Sequence, residues 1–93
     1  MKAIWNNVVI ADSDRTVEKD GDIYFPPNTV KQEYLERSET HTLHPSMGNP
    51  TFYHVQVNGK VELDAAWSYP DPVEENSEVR NYIAFGKGVT FKD

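Results

Sequence analysis

Ninety-three residues, 26% charged and 38% hydrophobic, can bury only roughly two thirds of the surface that the unfolded chain exposes, which predicts one domain with a thin core and at most one modest pocket. Fifteen Asp and Glu against nine Lys and Arg give a net charge of −6, and the basic residues are scattered, so nucleic acid and anionic membrane are argued against as partners. No cysteine is present, which removes disulfides, thiolate nucleophiles and Cys-based zinc sites and suits a reducing, cytoplasmic setting.

No apolar run approaches the ~18 residues of a membrane span, and Met1-Lys2-Ala3-Ile4-Trp5-Asn6 has no long apolar stretch, so a soluble, unprocessed chain is expected. Two Trp, five Tyr and four Phe, with a good supply of Val and Ile, argue for a folded chain over a disordered one.

In chain order, Lys2 to Trp5 and Val8 to Ala11 flank Asn6-Asn7. Asparagine tolerates the positive φ that a two-residue hairpin turn needs, so Trp5 is expected opposite Val8. After the polar Asp12-Ser13-Asp14-Arg15, Thr16 to Lys19 and Asp22 to Phe25 flank Asp20-Gly21, a strong hairpin signal that sets Val17 opposite Tyr24. Pro26-Pro27 ends that ladder, because neither proline can donate a backbone hydrogen bond. Asn28 or Thr29 then caps a predicted short helix over Val30 to Leu35. Glu36 to Glu39 reads as a polar exit, and Thr40 to Leu43 as a brief strand.

His44 to Pro50 holds two prolines and a glycine within seven residues, which fixes an irregular loop. Beyond it Tyr53, Val55 and Val57 alternate on one face, and Val61, Leu63, Ala65 and Trp67 do so after Asn58-Gly59. Matching these apolar faces requires a three-residue bulged loop with Val55 opposite Val61 and Tyr53 opposite Leu63. Pro70 and Pro72 end this strand. Val73 to Ser77 is a polar or single helical turn, Val79 to Phe85 a further strand, and Val89 to Phe91 the last. Seven or eight short strands with one short helix make an all-β pattern, a small sandwich or half-open barrel.

At Tyr24-Phe25-Pro26-Pro27, His41-Thr42-Leu43-His44-Pro45, Gly48, Tyr53, Ala65-Ala66-Trp67-Ser68-Tyr69-Pro70 and Tyr82-Ile83-Ala84-Phe85 the chain resembles the domain of unknown function 427 family, over nearly its whole length. That resemblance implies a small β-tent of two antiparallel sheets with one short helix, and the label of nucleotidyltransferase sometimes given to the family is its one enzymatic lead. Where many members carry Cys-Pro-x-Lys-Gly, this chain has His44-Pro45-Ser46-Met47-Gly48, so both the thiol and the lysine are missing. Asp20-Gly21-Asp22 stands where the family usually has Glu-Gly-Asn.

The chemistry-bearing groups are few. His41 and His44 are three apart, which on an extended segment points them to opposite faces, and a metal normally needs three or four convergent ligands, so no metal site is expected. Asp12-Ser13-Asp14 and Asp20-Gly21-Asp22 both have the Asp-x-Asp spacing of metal-dependent nucleotidyl transfer, yet both fall in predicted turns, where Asp caps neighbouring N–H groups. Trp67, Tyr69, Tyr53, Tyr24 and Phe25 suit either a core or an aromatic cage for a planar or cationic ligand, with Tyr69 expected to be the most exposed because it precedes Pro70.

The candidate ligand-binding residues are therefore His44, Trp67, Tyr69, Tyr53, Tyr24 and Asp20. They are expected around a pocket between the His44 to Pro50 loop and the Trp67 to Pro72 segment. A small-molecule ligand without catalysis is the favoured function, a metal-dependent nucleotidyltransferase the alternative, and a protein-interaction module acting through an exposed strand edge the third. Cofactor and oligomeric state are left open by the sequence.

Overall fold

The computed structural model describes residues 1–42 and 47–93. Its strands are β1 (Lys2–Trp5), β2 (Val8–Asp12), β3 (Val17–Lys19), β4 (Asp22–Phe25), β5 (Leu35–Arg37), β6 (Thr51–Val57), β7 (Lys60–Ser68), β8 (Ile83–Phe85) and β9 (Thr90–Lys92). They form two antiparallel sheets, one of order β2-β1-β9 and the other of order β3-β4-β8-β7-β6-β5. This is the mostly β, two-sheet architecture that the resemblance implies. Among the described residues no helix is long and apolar enough to cross a membrane.

Three tight turns set the registers. Asn6 and Asn7, Asp20 and Gly21, and Asn58 and Gly59 all have positive φ (51° to 83°), the left-handed pair whose twist matches that of the flanking strands. The first two place Trp5 opposite Val8 and Val17 opposite Tyr24, as the sequence predicts.

The third corrects the expected bulged loop. Val57 pairs with Lys60 and Val55 with Glu62 across a two-residue turn, because Asn-Gly fits that turn directly and turn chemistry outweighs the matching of apolar faces. The irregularity lies further along, between Tyr53 and Val55, where Asp64 has φ 52°. There the Asp64 backbone N–H donates to His54 Nδ1 at 3.0 Å, while Ser38 Oγ and Thr40 Oγ1 donate to the Asp64 carboxylate at 2.6 and 2.7 Å. Those two hydroxyls hold the Asp64 carboxyl below its ordinary range.

In consequence Val61 and Leu63 point to solvent, 50% and 61% exposed. Leu63→Thr is expected to change the unfolding free energy in a denaturant melt by no more than about 0.5 kcal/mol. A loss of about 2 kcal/mol or more would instead indicate a Leu63 buried opposite Tyr53.

The expected helix over Val30 to Leu35 is also corrected. Two single 3-10 turns, Pro27–Thr29 and Gln32–Tyr34, flank an extended Val30 and Lys31. Val30 bridges to Ala11, and the Lys31 N–H donates to the Ile10 carbonyl at 2.9 Å, so the backbone of this segment is used by the edge of β2. So short a helix has too few bonds to offset its nucleation cost. Thr29 does not cap; its hydroxyl donates to the Pro26 carbonyl.

Leu35–Arg37, read as helix end and polar exit, is strand β5, while Thr40 to Thr42 is not strand. The strand expected over Val79 to Phe85 is confined to Ile83–Phe85, since Glu74–Val79 is 3-10. Expectations resting on Leu43, His44, Pro45 and Ser46 lie outside the described residues.

Between the sheets lies an apolar cluster built from Ala3, Ile10 and Ala11 on one side and Phe25, Val55, Val57, Ala66, Ile83 and Phe85 on the other. On β4 and β8 strand alternation sends Tyr24 and Ala84 outward. Tyr24, Ala84 and Tyr69, with Trp67 beside them, form a second cluster on the opposite face of the six-stranded sheet, closed over by Met47 and Val79.

Candidate functional site

Direct cross-strand partners share a face of a sheet. Tyr24 pairs with Ala84, Ala84 with Trp67, and Trp67 with Phe52, so one row of side chains crosses β4, β8, β7 and β6 on the outer face. Asp22 lies two residues before Tyr24 on β4, and Tyr69 two residues after Trp67, which adds both to that face. In the middle of the row stands only the methyl group of the fully buried Ala84. With so little bulk between them, Tyr24 and Trp67 are neighbours across β8, and the Trp67 side chain offsets part of the rise that burial gives the Tyr24 phenol.

A recess of about 250 Å³ opens on this face, lined by Asp20, Asp22 and Tyr24 from the β3–β4 hairpin, Thr42, Met47 and Pro50 from the stretch between β5 and β6, Phe52 from β6, Trp67 from β7 and Tyr69 just beyond its end. Met47 is seated by the Val73 N–H, which donates to its carbonyl at 3.0 Å, and Gly48 follows it. Gly48 also touches the proline-rich segment: a Cβ on this glycine, whose φ is +116°, would stand 3.0 Å from the Asp71 carbonyl oxygen. Gly48→Ala is expected to cost about 1–3 kcal/mol in a thermal or denaturant melt, since it combines a disfavoured φ with a backbone clash. A variant as stable as the parent would contradict that close approach.

Of the residues singled out from sequence, the fold brings Asp20, Tyr24, Trp67 and Tyr69 to this one recess. Tyr53 is not there: being out of phase with Phe52, it packs against the cluster between the sheets. His44 lies outside the described residues. Tyr69, expected to be the most exposed aromatic, is only 4% exposed. Pro70 ends the ladder but leaves Tyr69 on the sheet, where it bridges to Arg80 and its carbonyl accepts from the Asn81 N–H.

Phe52 and Asp22 were not among the sequence candidates. Phe52 is half-buried beside Trp67, with ring centroids 6.4 Å apart. The other Asp-x-Asp pair, Asp12 and Asp14, borders a separate and more polar cleft. There Ser13 carries the local turn, its Oγ accepting from the Arg15 N–H at 2.9 Å.

The recess is negative. Among the described residues no Lys or Arg lines it, and Lys19, next to Asp20, is ion-paired to Glu78. Among the described residues no three His, Cys, Asp or Glu side chains converge to hold a metal. Burial pushes the Tyr69 phenol up to about 12, helped by Tyr24, Asp22 and Asp20, and burial raises Tyr24 as well. Because the neutral phenol is favoured in the folded state, the stability due to Tyr69 is complete below its unfolded value of 10.0 and is lost as pH rises through about 12.

An ultraviolet titration of the parent against Tyr69→Phe should therefore assign to Tyr69 an ionisation well above the ordinary tyrosine range. A difference signal centred on the ordinary value would place its hydroxyl in water.

No curated protein matches the chain. A family model described as Domain of unknown function (DUF427) matches residues 1–91, nearly all of the 93 residues, and the chain belongs to that family.

Proposed function

We propose that this protein binds a small molecule in the outer-face recess and acts as a binding protein rather than an enzyme. One observation carries the reading: Tyr24, Phe52 and Trp67 from three strands and Tyr69 just beyond the end of β7 converge with two carboxylates around a single concavity. Apolar and aromatic walls with a few polar groups are the usual makeup of ligand sites. At about 250 Å³ the space lies below the roughly 300–1,000 Å³ of sites for drug-sized ligands, which favours a compact occupant.

Metal-dependent nucleotidyl transfer is the second reading, supported by Asp20 and Asp22 both bordering the recess. Two carboxylates can hold Mg²⁺ when a triphosphate supplies further ligands. Against it stand the small volume and, among the described residues, the absence of a lining Lys or Arg to meet phosphate. A thermal-shift screen of nucleotides, with and without Mg²⁺ or Mn²⁺, beside small amines and neutral compounds, separates the two, since a ligand of the folded state alone raises the melting temperature. Stabilisation by a compact metal-independent ligand is expected. A metal-dependent shift with a triphosphate, followed by release of pyrophosphate, would replace this reading with the second.

A further inference from the structure

We propose that the recess selects a small alkylammonium ion, its charge set among the aromatic walls and the carboxylates of Asp20 and Asp22. This inference rests on the ligand-binding reading above and adds the chemical class. Aromatic rings attract a cation through the negative charge on their faces, by about 0.5–2 kcal/mol each according to how dry the contact is, and the recess is bordered by the half-buried Phe52 and Trp67 with the buried Tyr24 and Tyr69 behind them. Met47 and Pro50 complete an apolar wall suited to alkyl groups, which ask for no hydrogen bonds.

The carboxylates decide the charge. A neutral ligand without a donor group would strip water from Asp22, which is partly buried, with no charge to replace it, whereas a cation compensates for that loss. An anion would meet two like charges and, among the described residues, no lining basic group. Asp20 and Asp22 already act at this spot, since both disfavour ionisation of Tyr24 and Tyr69. A bare metal ion finds too few ligands among the described residues.

Choline and its neutral carbon isostere, 3,3-dimethyl-1-butanol, differ at one atom and provide the test. Binding is read by calorimetry and by the indole N–H resonances of Trp5 and Trp67. Choline should bind roughly tenfold more tightly than the isostere and shift Trp67 but not Trp5. Asp20→Asn and Asp22→Asn should each weaken choline several-fold and leave the isostere unchanged. Asparagine suits the φ of 51° at position 20, so the first variant keeps its turn.

A free alkylammonium and a trimethylated lysine side chain share this chemistry. A short peptide carrying trimethyl-lysine, compared with choline, tells which source is preferred, and tighter binding of either supports the proposal. Equal affinity for choline and isostere, or choline binding indifferent to both Asp variants, overturns it. If neutral or anionic compounds move Trp67 while choline does not, the charge class is wrong but the ligand-binding reading stands. If no compound in the screen moves Trp67, both fall.

Discussion

Phe25→Ala is expected to lower the unfolding free energy by about 3–5 kcal/mol and the melting temperature by at least about 12 °C. The side chain is fully buried and joins the two sheets. Its ring meets Phe85 of the six-stranded sheet edge-on, with centroids 5.7 Å apart, and stacks near Phe91 of the three-stranded sheet at 6.2 Å. Removing it takes away burial, leaves a cavity and severs two aromatic contacts at once. A chain of this length is stable by only about 5–14 kcal/mol, so the loss is a large share of the whole. Calorimetry or a circular-dichroism melt gives the answer, and a loss below about 1 kcal/mol would mean that the sheets are not joined at this ring.

Filling the space between Tyr24 and Trp67 should have the second large effect. Ala84→Leu puts three more carbon atoms beneath Tyr24 and Trp67 at a position with no exposure, where overpacking costs about 1–3 kcal/mol. The extra volume must separate the indole from the phenol or rise into the recess, so ligand binding should fall with stability. Gly86→Ala isolates the ring displacement, since its Cβ would stand 2.9 Å from Cζ3 and 3.2 Å from Cη2 of Trp67. The indole must move, and its fluorescence and N–H resonance should report that. If Ala84→Leu melts like the parent and leaves the Trp67 signals unchanged, the row across β4, β8, β7 and β6 is wrongly assembled.

The first two hairpins were legible because Asn-Asn and Asp-Gly specify their turns locally. Such turns also fix register, which is why Val17 meets Tyr24 as expected. Hidden from the sequence was the irregularity at His54 and Asp64, whose cause is long-range: Asp64 is held by Ser38 and Thr40 from a distant stretch. Without it, apolar matching selected the wrong hairpin loop and assigned Leu63 to the core.

Site membership divided in the same way. Asp20, Tyr24, Trp67 and Tyr69 stood out by residue type, whereas Phe52 could be placed only once its pairing with Trp67 was known. The alternation that set Tyr53 with Val55 already implied Phe52 on the other face, and that signal was available. Tyr69 was misjudged because Pro70 marks the end of a strand without saying which side the preceding residue packs on.

That the outer-face recess is where this protein binds its ligand is tested most directly by the two indole N–H resonances during titration with a compound that raises the melting temperature. Trp67 borders the recess, whereas Trp5 belongs to the other sheet, next to Gly88. A saturable shift of Trp67 alone, weakened in Tyr69→Phe, is the predicted result. A shift of Trp5, or saturation with Trp67 unmoved, would place the binding site elsewhere on the molecule.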